Sequence, residues 1–347
     1  LGLWGNANVK IGDLDKGAPE LRADSRYNLD NAYVTENYST STDVLVVMVE
    51  TDADGCIKYN TLTAVDYFQW MIEQVPGVQS STSLADRTKF VISAYSEGDL
   101  KWMGINRNQY VLNGTVSGQN LSTGLFNADC SFMPIIIFLE DHKAETLDRV
   151  VTAAKDWIDN TDTGDVQFKL AAGNAGIEAA TNQVVSKAQT EMLLWVYGVV
   201  ALLVFIAFRS IRTVICIVAP LALTSLLCQA LMVYLGIGIK VATLPVIALG
   251  VGIGVDYGIY IYGKLKEYLD AGQPLADAYH QTLLSTGKAV VFTGLTLAIG
   301  VATWAFSPIK FQADMGLLLT FMFLWNMVGA VVFLPALAYF LEKRRLA

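Results

Sequence analysis

Five apolar stretches fill the second part of this 347-residue chain. They run approximately Met192 to Phe208, Thr213 to Leu235, Val241 to Tyr262, Ala289 to Phe306 and Met315 to Leu341. Each is close to the ~20 residues a helix needs to cross a bilayer. In lipid every backbone N–H and C=O must be bonded within the protein, so these stretches are expected as helices in a bundle. Mean hydropathy is +0.42 and only 16% of residues are charged, which excludes an ordinary soluble protein.

Charge divides the chain in two. The net charge of −8 comes from an acidic stretch over residues 1–190, while residues 191–347 carry a slight excess of Lys and Arg. We therefore expect an extracytoplasmic domain at 1–190 and a five-helix transmembrane domain at 191–347, with the C-terminus in the cytoplasm. Arg209, Arg212, Lys264, Lys266, Lys288, Lys343, Arg344 and Arg345 flank one side of the spans, against only Lys240 and Lys310 on the other. The basic side is expected to be cytoplasmic. An acidic water-facing domain argues against a nucleic-acid partner. The chain opens Leu1-Gly2-Leu3, without an initiator methionine or a signal peptide, and five crossings behind an external domain make an odd count. A preceding helix and a longer polypeptide are expected.

Within the external part, Asp43–Thr51 reads as a buried strand and Asn60–Gln74 as a helix with Leu62, Val65, Phe68 and Ile72 on one side. Val78–Leu84 alternates like a strand. The order recurs in Phe132–Glu140, Ala144–Ile158 and Val166–Leu170. Two strand–helix–strand units predict an α+β, ferredoxin-like double βαβ domain. Asn106–Ala128, rich in Asn, Gly, Ser and Thr, reads as an inserted loop or hairpin. Leu275–Ser285 has apolar positions at helical spacing and predicts a short interfacial helix. Cys56 follows the first strand and Cys130 precedes the third, ends that lie together in such a sheet. A disulfide is one outcome in an oxidising compartment, and two buried thiols the other.

No hydrolase, metal or nucleotide constellation emerges. His142 and His280 fall on opposite sides of the membrane, the glycine-rich run lacks the lysine of a phosphate-binding loop, and Asp13 and Asp15 lack calcium-ligand spacing. No cofactor, no metal and no enzyme activity are expected.

Asp256 is the exception inside the spans. It lies in Gly250-Val251-Gly252-Ile253-Gly254-Val255-Asp256-Tyr257-Gly258 and is the only ionisable side chain in the interior of an expected span. A charge at membrane depth is costly and marks ion or proton pathways. Gly252 shares a helix face with Asp256, beside the series Gly250, Gly254 and Gly258, whose lack of side chains lets another helix approach closely. Asp256 is expected to be buried among helices. Tyr257 offers a hydroxyl to a carboxyl group on an adjoining helix. Other polar groups singled out at depth are Thr293, Thr296 and Asn326; threonine hydroxyls either hold a proton or bond their own helix backbone.

The glycine-rich run ending in Asp256-Tyr257-Gly258, followed by Phe292-Thr293-Gly294-Leu295-Thr296, resembles the resistance–nodulation–division (RND) superfamily, in its MmpL-like and hydrophobe-exporter branch. The external double βαβ is similar to the porter domain of that family, and Gly12–Leu21 to the opening of its second periplasmic loop. The resemblance implies the C-terminal half of a proton-motive-force-driven exporter of hydrophobic or amphipathic molecules in a bacterial inner membrane, with residues 1–190 in the periplasm. It implies Asp256 and Tyr257 as one of two acid–tyrosine pairs that cross-bond, with Thr293 and Thr296 as secondary relay members. The implied partners are protons, a lipid or other hydrophobic molecule, the N-terminal half of the same transporter, and either further copies or a periplasmic accessory protein. Two other classes share this helix arrangement: a lipid- or sterol-sensing module without transport, and an accessory factor in protein secretion.

Overall fold

The structure is a computed structural model that describes residues 1–117 and 121–342. Lys343, Arg344 and Arg345, counted above among the basic flanks, lie outside the described residues, as does the centre of the Asn106–Ala128 insertion. In chain order the elements begin with α1 (Gly2–Asn8), α2 (Arg26–Asn37), β1 (Val44–Glu50), α3 (Tyr59–Ile72), β2 (Val78–Thr82) and α4 (Leu84–Tyr95). They continue with α5 (Gln109–Ser117), β3 (Phe132–Leu139), α6 (Ala144–Asn160), β4 (Gln167–Ala172) and α7 (Gly173–Phe208). The last are α8 (Ile211–Leu235), α9 (Leu244–Asp270), α10 (Leu275–Thr282), α11 (Lys288–Ala302), α12 (Lys310–Val328) and α13 (Leu334–Glu342). Two compact units result. One is built from Asp15–Ala18 with Ala23–Gln183, the other from Leu1–Leu14, Pro19–Arg22 and Val184–Ala347.

The first unit is α+β. Its antiparallel sheet has the order β2-β3-β1-β4, the ferredoxin-like arrangement that two strand–helix–strand repeats produce. Strict alternation makes one face of the sheet: Leu45, Val47 and Val49 of β1 and Met133, Ile135, Ile137 and Leu139 of β3 are fully buried. Against them α3 buries Leu62, Val65, Phe68 and Ile72, and α6 buries Leu147, Val150 and Ala154. Each buried Leu, Val, Ile, Phe or Met side chain contributes about 1.5–3 kcal/mol. Trp157 lies edge-on to Phe68 at 5.0 Å and to Phe168 at 5.1 Å, closing the end of this core. Gly77 turns α3 into β2 at φ +102°, a left-handed position that favours glycine. Cys56 and Cys130 are joined in a disulfide with a Cα–Cα distance of 5.2 Å. The Cys56 amide also donates to the Cys130 carbonyl at 3.0 Å.

Three elements here have no counterpart in the sequence reading. Helices α2 and α4 are capped by Ser25 and Ser83, whose side chains accept from the Asn28 and Ala85 amides. The insertion holds a helix, α5, and among the described residues no hairpin. On α4, burial works against the Lys89 ammonium, but its contacts with Asp66 at 2.5 Å and Asp86 at 3.1 Å outweigh that and hold its pKa above the usual lysine value.

Among the described residues five helices are long and apolar enough to cross a membrane: Gly173–Phe208, of which Val184 onward belongs to the second unit, and Ile211–Leu235, Leu244–Asp270, Leu275–Phe306 and Lys310–Leu341, all within it. Leu275–Ser285 does not form a separate interfacial helix. It is the first part of the fourth span, continued through a π-helical turn at Leu283–Gly287 into α11. Its apolar positions explain this: Ala278 is fully buried and the Tyr279 hydroxyl donates to the Val331 carbonyl at 2.8 Å, so the stripe faces protein. The fifth span passes through a second π-helical turn, Gly329–Phe333, between α12 and α13. Helix α1 packs on α8 through Gly2 and Gly5, where a Cβ would strike Leu226 and Ala230. Residues 9–14 and 19–22 then stitch the ends of the spans together. The Gly12 amide bonds the Ile239 carbonyl, Asp13 pairs with Lys240 at 2.5 Å, and the Arg22 guanidinium donates to the Ala305 and Ser307 carbonyls.

Candidate functional site

Helix α9 carries the site. Pro245 sits in its first turn, where the missing N–H costs nothing, and Thr243 precedes the helix as its N-cap. The glycines would weaken such a helix in water by about 1 kcal/mol each, but in a bilayer the backbone has no better partner than itself.

One face of α9 forms a tight seam with α8 and α12. A Cβ on Gly250 would come within 2.4 Å of Met322, one on Gly254 within 2.6 Å of Asn326 and Leu221, and one on Gly258 within 2.9 Å of Ile217. The side chain of Asn326 fills the slot that Gly254 leaves, and its Nδ2 donates to the Gly250 carbonyl at 2.7 Å. Asn326 is 2% exposed. Its Oδ1 is buried without a partner among the described residues.

The opposite face is open. Pro245, Leu249, Gly252, Asp256 and Tyr260 recur at helical spacing and are all exposed in this chain. Nothing lies within 4 Å of the Cβ that Gly252 lacks, so this glycine packs no helix here. Asp256 is therefore not buried by the chain's own helices, contrary to the expectation from sequence. A 100° step per residue turns the next side chain inward. Tyr257 is 3% exposed, on the seam side, and its hydroxyl has no partner among the described residues.

Thr293 and Thr296 are exposed on α11, whose Gly294 packs instead against Met327 of α12. The Thr296 hydroxyl donates to its own helix, 3.0 Å from the Phe292 and Thr293 carbonyls. Among the described residues no cluster of His, Cys, Asp or Glu has a metal-holding arrangement. His142 is buried at 2.9 Å from Asp43 in the α+β unit, and His280 is exposed on α10. The sequence reading missed Tyr197, whose hydroxyl bonds Ser225 at 2.6 Å and the Leu221 carbonyl at 3.1 Å, and Gln229, buried on α8. A lone glutamine in an apolar span was the signal available for the latter.

Comparison with known proteins bears on this arrangement. The model of the MMPL family matches residues 32–347, almost the whole chain. The chain belongs to the MMPL family. A Methanocaldococcus jannaschii protein described as "Putative membrane protein MJ1562" is 24% identical over 223 residues, covering 63% of this chain and 57% of its own length. Membrane protein YdfJ of Bacillus subtilis is 27% identical over 96 residues, 28% of this chain and 13% of its own. A Mycobacterium tuberculosis protein described as "Probable transport protein MmpL12" is 24% identical over 97 residues, 28% of this chain and 8% of its own. This chain thus spans about half the length of the archaeal relative and a small part of the other two. Family membership together with five spanning helices makes it a multi-pass membrane protein.

Proposed function

We propose that this MMPL-family chain is the C-terminal half of a proton-motive-force-driven exporter of hydrophobic or amphipathic molecules. The observation that carries the reading is Asp256, a carboxylate at membrane depth on a stripe of α9 that the chain's own helices leave open. A carboxylate facing lipid is so costly that such groups face protein or water-lined paths. The stripe is then the side on which the other half of the transporter lies, and Asp256 exchanges its proton there. Thr293 and Thr296 on α11 are secondary members of that path. The glycines at 250, 254 and 258 keep the seam smooth enough for α9 to move when the acid changes charge. The basic flanks support a cytoplasmic placing of the α8 start, and hence a periplasmic α+β unit in a bacterial inner membrane. A transport protein among the relatives supports the class of activity.

The test uses the full-length protein in proteoliposomes with an imposed pH gradient and Nile red as an apolar probe. Asp256→Asn is expected to bring gradient-driven movement down to that of protein-free vesicles, with the variant eluting as a single species like wild type. Unaltered gradient-driven movement in this variant would defeat the reading.

A further inference from the structure

We propose that Tyr279 is a positioning residue for the last span: its hydroxyl stands in for the backbone donor that Pro335 takes from Val331, and so ties the fourth span to a break in the fifth at the depth of Asp256. The part this plays in transport rests on the exporter reading above; the replacement of one donor by another does not.

A proline inside a spanning helix is the starting point. In a regular ladder the Val331 carbonyl would accept from residue 335, and Pro335 has no N–H to give. The π-helical turn Gly329–Phe333 covers the same stretch, so two features interrupt the ladder together. A carbonyl without a donor is costly in a bilayer, where lipid tails offer nothing in its place. The Tyr279 hydroxyl, 52 residues away in sequence, donates to Val331 at 2.8 Å.

Neighbouring hydroxyls behave differently. Thr282 and Ser285, in the same span, donate to the Ala278 and Gln281 carbonyls of their own helix at 2.8 and 2.9 Å. That is the ordinary fate of a short hydroxyl in a span. The Tyr279 phenol is long enough to leave its helix, and Ala278 beside it is fully buried, which sets the side that α10 turns to the bundle. Tyr279 also stands four residues before the π-helical turn Leu283–Gly287. One bond thus runs from the approach to one π-helical turn into the middle of the other.

The break lies at the depth of the acid. Helices α9 and α12 run side by side, with Gly250 against Met322 and Gly254 against Asn326, four residues further along each. The next step of four brings Gly258 level with Ala330, inside the π-helical turn, and Asp256 stands two residues, ~3 Å, before Gly258. Gly258 lies against Ile217 and Gly329 against Pro220, the proline inside α8, so a second interrupted ladder adjoins the first. Prolines and π-helical turns are the places where helices bend. Any residue but proline at 335 would satisfy Val331 from within its own helix. Closing the break from another span instead leaves the last span bent-prone there and fixes its place through one side chain.

A double-mutant cycle in the full-length protein tests this, read by melting temperature in detergent and by Nile red movement under an imposed pH gradient. The variants are Tyr279→Phe, Pro335→Ala and the two together, with Pro335→Leu in place of alanine if the latter does not fold. Tyr279→Phe alone is expected to lower the melting temperature by a few degrees and to slow gradient-driven movement about twofold to tenfold, the worth of one hydrogen bond. With Pro335→Ala the restored N–H serves Val331, so adding Tyr279→Phe should leave the melting temperature where Pro335→Ala puts it. Movement in that double variant should stay below wild type, because the break is gone. An equal loss of melting temperature from Tyr279→Phe in both backgrounds would overturn the donor replacement. Wild-type movement in the double variant would overturn the positioning role and leave a bond of structural value alone. A wild type that moves the dye equally with and without the gradient defeats the exporter reading and the positioning role with it, while the melting comparison still decides the donor replacement.

Discussion

Gly252 and Gly254 stand two residues apart on α9 and face opposite demands. A methyl group at Gly254 would lie 2.6 Å from the Asn326 amide and from Leu221, in a seam with no slack. Gly254→Ala is expected to destabilise the bundle by about 1–3 kcal/mol through overpacking. Within this chain nothing lies within 4 Å of Gly252, so in the 347-residue chain by itself Gly252→Ala should be neutral or raise stability by up to ~1 kcal/mol through helix propensity. Thermal unfolding of both variants in detergent checks the pair; equal melting temperatures would mean the seam is looser than drawn. Spacing alone shows that 250, 254 and 258 share one side and that 252 goes with Asp256. Which side meets protein is not written in the spacing, because every candidate neighbour is equally apolar. That is why the inward turn of Tyr257 was not legible, while the shared face of Gly252 and Asp256 was.

At the scale of elements, periodicity did the work where it was clean. Alternation in β1 and β3 and the apolar faces of α3 and α6 each carry one period over most of their length, and the sheet order follows from their sequence order. Helix α2 buries only Asn28, and α5 buries the short set Leu112, Thr115 and Val116 within a mixed polar sequence, so no long stripe announces either. Between α10 and α11 a π-helical turn absorbs a change of phase that, in sequence, reads as the end of a helix. The disulfide is the element-scale feature with the largest expected energy. It closes a separation of 74 residues between the turn after β1 and the turn before β3. Removing it with Cys56→Ser and Cys130→Ser should cost up to about 4.5 kcal/mol by loop-closure entropy. Tryptophan fluorescence during urea unfolding reads this, because Trp157 is buried against Phe68 and Phe168 in the same unit. An unchanged midpoint would mean the β1–β3 ladder holds those ends without help.

For the molecule as a whole, the open stripe of α9 is the feature that most limits what the chain does alone. A helix that shows lipid a carboxylate, a bare glycine and a tyrosine at regular spacing is poorly suited to a bilayer. The exporter reading therefore requires protein over Leu249, Gly252, Asp256 and Tyr260 in the full-length molecule. Nitroxide labels at Leu249→Cys and Tyr260→Cys test this by electron paramagnetic resonance. Native Cys216 and Cys228 are fully buried and should stay unlabelled. Covered positions are expected to show low accessibility to both dissolved oxygen and a polar nickel reagent. A face that looks at lipid would match the oxygen accessibility of a doxyl-labelled phospholipid at equal depth. That second result would place Asp256 where no proton path reaches it, and transport would have to be sought on another surface of the bundle.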